Sequence, residues 1–217
     1  MHLYLDCDGV VFDSNELKKA AFLEIAKSAG VEVDDKMQSY LDSVFGKASR
    51  HEILRTILGR DRAHSEFDVA PYVREYGERC TQLYIDADFT AGVTSFVHDN
   101  STGNDFSIVT SDDSRDLRYA FAERGLQDMF KNIFGYEFSK AEVLADAKSS
   151  NRANSVLMIG DFLGDARAAE FAEVPFVFLS GYSLVTKSQL PEIRRIAVTT
   201  TRSFEGLDLN TWIAGQS

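Results

Sequence analysis

Leu3-Tyr4-Leu5-Asp6-Cys7-Asp8-Gly9-Val10-Val11-Phe12-Asp13-Ser14 starts as an apolar run and turns acidic within one residue. A short apolar run without polar alternation is the pattern of a strand covered on both faces, and such strands belong to parallel sheets flanked by helices. Runs of the same kind lie at 106–109, 156–159, 176–179 and 196–198. Helical segments are predicted between them, over 114–124 ending at Gly125, over 140–148 and over 165–173. The alternation of strand and helix predicts an α/β protein with a doubly wound, parallel-sheet, Rossmann-like core.

Residues 15–86 carry almost no strand signal. Leu17, Ala21, Ile25 and Ala29 repeat at helical spacing, as do Met37, Tyr40, Leu41 and Val44, then Ile53, Leu54, Ile57 and Leu58, then Val73, Tyr76, Cys80, Leu83 and Tyr84. Turn signals at Gly30, Gly46 and Gly59 separate these rows. The pattern predicts a helical insertion over 15–86, after the first strand, with 1–14 and 87–217 forming the core.

The carboxylates fall where such a core places its ligands. Asp6 and Asp8 end the first strand, and Asp161 and Asp165 follow the strand at 156–160. Open α/β sheets bind ligands at the carboxyl ends of their strands. Two acidic pairs brought together there repel each other unless a cation lies between them, and hard oxygen donors favour magnesium. A helix N-cap would account for Asp165 but not for Asp6, which follows an apolar strand directly.

Four segments resemble the haloacid dehalogenase-like hydrolase superfamily, in order along essentially the whole chain. Asp6-Cys7-Asp8-Gly9-Val10-Val11-Phe12-Asp13-Ser14 resembles its first motif. Thr110-Ser111 resembles the second, Ser139-Lys140 the third, and Gly160-Asp161-Phe162-Leu163-Gly164-Asp165 the fourth. The resemblance implies a phosphatase in which Asp6 attacks phosphorus and Asp8 serves as general acid and then base. Lys140 and Thr110, with Ser111, would hold the phosphoryl oxygens. Magnesium would be held by Asp6, the Asp8 backbone carbonyl and Asp161, and Asp165 would orient Lys140 or a metal-bound water. Dehalogenase members lack the second aspartate of the first motif, so Asp8 points to phosphoryl transfer. Two positions depart from the usual pattern: Ala141 follows Lys140 where proline is common, and Phe162 follows Asp161 where Ser or Thr is usual.

The insertion resembles the helical cap of one branch of that superfamily, which includes phosphoglycolate phosphatase and β-phosphoglucomutase. Gly46-Lys47-Ala48-Ser49-Arg50-His51-Glu52 is similar to the substrate-selecting loop of its mutase-like members, so Lys47 and Arg50 are candidates to hold a second anionic group or sugar hydroxyls. The competing expectation is a plain N-cap at Ser49 with Lys47, Arg50 and His51 in solvent. Asp13-Ser14-Asn15-Glu16-Leu17-Lys18 is similar to members linked to sugar-phosphate and surface-polysaccharide metabolism. A sugar phosphate or small hydroxy-acid phosphate is the expected substrate. A sugar phosphomutase, or a non-catalytic binding protein on the same fold, is the alternative.

The remaining features bound the partners. A net charge of −11 argues against a nucleic-acid groove. Two cysteines, Cys7 and Cys80, without metal-ligand spacing suit reduced thiols in a cytoplasmic protein, a monomer or homodimer. The amino terminus lacks the pattern of a signal peptide, and no stretch is long and apolar enough for a membrane span. His2, His64 and His98 show no ligand spacing and are expected at the surface.

Overall fold

In the computed structural model, which describes residues 1–59, 68–150 and 155–209, the apolar runs assemble into one sheet. Its strands are β1 (His2–Leu5), β2 (Asp105–Val109), β3 (Asn132–Phe134), β4 (Val156–Gly160), β5 (Phe176–Leu179) and β6 (Thr199–Thr201). They lie in the order β3-β2-β1-β4-β5-β6, every neighbouring pair parallel. Leu5 is level with Ile108 on one side and Ile159 on the other, so the central strands finish at one edge.

The helices are α1 (Asn15–Ser28), α2 (Asp35–Val44), α3 (Arg50–Gly59), α4 (Ala70–Asp86), α5 (Val93–Asn100), α6 (Ser114–Glu123), α7 (Lys140–Ser150), α8 (Leu163–Phe171) and α9 (Leu190–Ile196). Side chains alternate across each strand and give the sheet two buried faces. Leu3, Leu5, Ile108, Leu157 and Ile159 pack with Val97, Leu117 and Phe121 of α5 and α6. Tyr4, Val109, Met158, Phe176 and Phe178 pack with Leu144, Ala169 and Ile193 of α7, α8 and α9. The result is a doubly wound, three-layer α/β fold.

Helices α1 to α4 all precede β2. Phe22 of α1 stacks on Tyr76 of α4 with ring centroids 4.0 Å apart, and α4 lies along both α1 and α6. The Asp34 side chain caps α2 by accepting from the Met37 amide at 2.8 Å. Ser49 and Glu52 cap α3 reciprocally: the Glu52 amide donates to Ser49 Oγ at 3.2 Å and the Ser49 amide to Glu52 Oε2 at 2.9 Å. The chain leaves and re-enters the core at one place, where the Asp13 amide donates to Asp88 O at 2.9 Å and the Thr90 amide to Val11 O at 3.0 Å.

Several local expectations are corrected. The run at 196–198 is not a strand: Ile196 ends α9 and the strand forms at Thr199–Thr201, a polar edge with no apolar signature. α8 starts at Leu163 and ends at Phe171, so the 165–173 expectation runs two residues late. β3 and α5 have no counterpart among the predicted elements, being three and eight residues long. On α1 the buried face runs through Asn15, Lys18, Ala21, Phe22, Ile25 and Ala26, and Leu17 is 43% exposed. His2 is buried, its Nε2 2.8 Å from Ser107 Oγ; His98 is exposed, and His64 lies outside the described residues. No helix among the described residues is long and apolar enough to cross a membrane.

Candidate active site

The sheet order reverses at β1, which has β2 on one side and β4 on the other. Asp6 leaves the end of β1 there, Thr110 follows β2, Asp161 follows β4, and Lys140 opens α7. The turn after Asp6 depends on Gly9. Its φ is +68°, and a Cβ on it would strike the Asn15 amide and the Asp161 carboxylate, so only glycine fits this crossing.

Asp6, Asp161 and Asp165 each offer an oxygen to one point, the three atoms lying within 4.8 Å of one another. All three side chains are buried. The Lys140 ammonium is the cation that reaches them, 2.8 Å from Asp6 Oδ1 and 2.6 Å from Asp165 Oδ1. Asp165 Oδ2 also accepts from the Phe162 amide at 3.0 Å, holding the start of α8. Asp161 Oδ2 accepts from Asn15 Nδ2 at 2.7 Å. Asp161 Oδ1 is buried without a partner among the described residues. Burial, followed by the neighbouring Asp165 charge, pushes the Asp6 carboxyl up to about 7 despite Lys140. Burial, then Asp6 and Asp165, pushes Asp161 well above the usual carboxylate range. Three buried carboxylates, one ammonium and an orphaned oxygen fit a hard divalent cation.

The carboxylate of Asp8 points elsewhere. It accepts from Ser14 Oγ at 2.5 Å and from Lys18 Nζ at 2.7 Å, and the Tyr84 hydroxyl oxygen lies 3.0 and 3.1 Å from its two oxygens. Lys18 and Tyr84 in turn donate to Asp112 Oδ2, each at 2.6 Å, and Arg50 Nη2 donates to Asp112 Oδ1 at 3.0 Å. Burial raises the Asp8 carboxyl to about 6 against the pull of Lys18. Burial alone would raise Asp112 too, but Lys18, the hydrogen bond to Asp8 and Arg50 outweigh it and hold that carboxyl well below its ordinary value. Asp6 and Asp8, one residue apart from each other's neighbour Cys7, thus face two different environments.

The other expected residues divide. Thr110 is buried, its Oγ1 3.4 Å from Asp112 Oδ2, and Ser111 is exposed beside it. Arg50 reaches the Asp8 group through Asp112. Lys47 does not: it is exposed and donates to Ser43 O at 2.7 Å, on the last turn of α2. His51 is exposed beside Arg55. Lys18, Tyr84, Asp112 and Asn15 are the polar residues of the site that sequence reasoning missed. A signal existed for two of them. Lys18 sits in the apolar row of α1 with Ala21, Phe22 and Ile25. Of the pair Asp112-Asp113, only Asp113 caps α6, accepting from the Arg115 amide at 2.9 Å, which leaves Asp112 without a local task.

The sequence profile of the family described as haloacid dehalogenase-like hydrolase matches residues 4–179. No curated protein matches the sequence. Among solved structures, CbbY from Rhodobacter sphaeroides in complex with phosphate is 18% identical with a TM-score of 0.72, 95% of each chain being covered. The HAD-hydrolase YfnB from Bacillus subtilis bound to magnesium is 18% identical with a TM-score of 0.69, covering 94% of this chain and 95% of that one. A HAD hydrolase of family IA, variant 3, from Entamoeba histolytica is 16% identical with a TM-score of 0.75 over 96% of each chain. At these identities the likeness is one of fold.

Proposed function

Because the chain belongs to the haloacid dehalogenase-like hydrolases, we propose that it is a magnesium-dependent phosphatase that releases phosphate from a small phosphomonoester through an aspartyl-phosphate on Asp6. The observation that carries this reading is the separation of Asp6 from Asp8. Asp6 lies in the cation-ready cluster beside Lys140, where a nucleophile meets phosphorus. Asp8 lies outside it among hydrogen-bond donors, with its carboxyl raised to about 6, a range suited to giving and taking a proton near neutrality.

An Asp6 oxygen attacks phosphorus as the bond to the leaving oxygen breaks, and Asp8 delivers its proton to that oxygen. Asp8, now a carboxylate, takes a proton from water; the water oxygen attacks phosphorus, the bond to Asp6 breaks, and phosphate leaves. Lys140 and Thr110 hold the phosphoryl oxygens where charge accumulates. Asp6, Asp161 and the Asp8 backbone carbonyl would hold magnesium, with Asp165 fixing Lys140. When bound, that ion neutralises the carboxylates and the phosphate so that two anions can meet. A solved relative bound to magnesium and another bound to phosphate lend support. The two free, buried cysteines are in keeping with a cytoplasmic setting.

The test is phosphate release from a panel of phosphorylated metabolites with magnesium and with a chelator. Turnover is expected only with the metal. The near-isosteric Asp6→Asn variant should retain less than about one part in a thousand of it, since an amide cannot attack phosphorus. Full activity in chelator, or an active Asp6→Asn free of deamidated protein, overturns the reading.

A further inference from the structure

Lys140, Thr110 and the carboxylate cluster meet the phosphoryl group, which every candidate substrate shares. Selection falls to the side chains beyond Asp8, on the leaving-group side. These are Lys18, Tyr84, Asp112 and Arg50. We infer that Asp112 is a specificity-determining residue, which makes the cleft select phosphomonoesters of neutral, hydroxyl-bearing molecules and reject those whose leaving group carries a second anion. The inference rests on the function proposed above and names its substrate class.

The ground is which cations are already engaged. An ammonium has three protons to donate, and Lys18 Nζ has three acceptors: Asp112 Oδ2 at 2.6 Å, Asp8 Oδ2 at 2.7 Å and the Tyr84 hydroxyl at 3.0 Å. Arg50, the cap-loop cation, is 3.0 Å from Asp112 Oδ1 and lies 5.7 Å above the Tyr76 ring centroid. Lys47, the other cation of that loop, turns back to Ser43. Both cations that reach this group are therefore already bonded to Asp112, which keeps its charge, and among the described residues no third cation joins them to receive a second phosphate or a carboxylate.

An anionic leaving group would have to compete with Asp112 for Arg50. Asp112 is only 5% exposed, so it would be left buried, short of a partner and close to a new like charge. Removing one partner from a buried pair costs more than the pair itself contributes, and an enforced like-charge contact is how binding sites exclude a competitor. Hydroxyl groups meet no such penalty. A guanidinium offers five protons and Asp112 takes one of them, so sugar hydroxyls can accept from Arg50 while the pair stays intact and bring no charge toward Asp112. Of the two roles open to the cap-loop cations, an anion site or a hydroxyl site, Asp112 selects the second.

The test compares kcat/KM of the wild-type enzyme, with magnesium, on neutral hexose and pentose monophosphates, on the matching bisphosphates and on phosphoglycolate. The best neutral monophosphate is expected to exceed its bisphosphate and phosphoglycolate by about tenfold or more. Asp112→Asn, which frees Arg50, should shift that ratio toward the anionic substrates by about tenfold. Ratios taken within one preparation cancel differences in folding and active fraction, and the wild-type ratio stands even where Asp112→Asn fails to fold. A wild-type preference for bisphosphates or phosphoglycolate overturns the inference and leaves the phosphatase reading in place, as does an unchanged ratio in folded Asp112→Asn. Absence of magnesium-dependent phosphate release from every member of the panel overturns the phosphatase reading, and this inference with it.

Discussion

Among the described residues, Lys18 is the single side chain that touches Asp8, Asp112 and Tyr84 together. Lys18→Met keeps most of its length and apolar stem but removes the charge that fixes the Asp8 carboxylate. Asp8 should then deliver its proton poorly. A sluggish alkyl leaving group needs that proton and a nitrophenolate does not. kcat on an alkyl phosphate is therefore expected to fall roughly a hundredfold, in the range of general acid catalysis, with nitrophenyl phosphate losing less than about fivefold. Equal losses on the two would show that Lys18 serves folding alone. Asp6, Asp161, Asp165 and Lys140 were legible because each is a charged residue at the end of an apolar strand or the start of a helix. Tyr84 was not, because its buried phenol occupies a position of a helical row that reads as core, and Lys18 was not, because the expected row of α1 ran through Leu17 and left the neighbouring charge on the solvent side. What makes them polar is a partner far away in sequence, Asp112, and one chain gives no sign of that pairing.

At the scale of elements, the α2–α3 loop and the start of α8 touch through Gly46 and Phe162. Gly46 has φ +72°, and a Cβ on it would enter the Phe162 ring; Phe45 lies over the same ring at 6.1 Å between centroids. The departure of Phe162 from the usual Ser or Thr thus gives the loop a flat apolar surface to rest on. Gly46→Val combines a left-handed backbone, costing about 1–2 kcal/mol, with a clash at that surface. It should lower kcat/KM about tenfold, since 1.4 kcal/mol is a factor of ten. The melting temperature should fall by only a few degrees, because the loop is exposed. Gly46→Val combined with Phe162→Ala should recover part of the activity, and failure of the pair to do so would remove Phe162 from the account. The strands of four or five residues, β1, β2, β4 and β5, were legible from their apolar runs alone. β3 and β6 were not, since a three-residue edge strand is specified by the neighbour it pairs with rather than by its own composition.

For the whole molecule, the acidic cluster links stability to pH and to metal. The Asp6 carboxyl, near 3.8 when exposed, rises to about 7 in the fold, and Asp161 also rises. The native state therefore binds more protons than the unfolded chain between those values. The contribution is fully present below about pH 3.8 and is lost as pH rises through 7. Above that, ionised carboxylates repel, and a divalent cation relieves them. At a hundred times its dissociation constant a ligand stabilises by about 2.7 kcal/mol, or several degrees in a chain of this size. Magnesium should accordingly raise the melting temperature clearly at pH 8 and hardly at pH 5. Asp161→Asn should flatten that difference, and a shift independent of pH would mean the ion binds elsewhere. A different consequence follows from the crossing where Asp13 meets Asp88 and Thr90 meets Val11. The chain departs and returns through adjacent points, so closing that excursion costs nearly the same whatever it contains, each doubling of length adding only about 0.6 kcal/mol. The segment in between is a cassette. Its length can change without moving the register of a single strand, so its outer helices are free to drift across generations as long as Asn15, Lys18 and Tyr84 keep their hold on Asp161, Asp8 and Asp112.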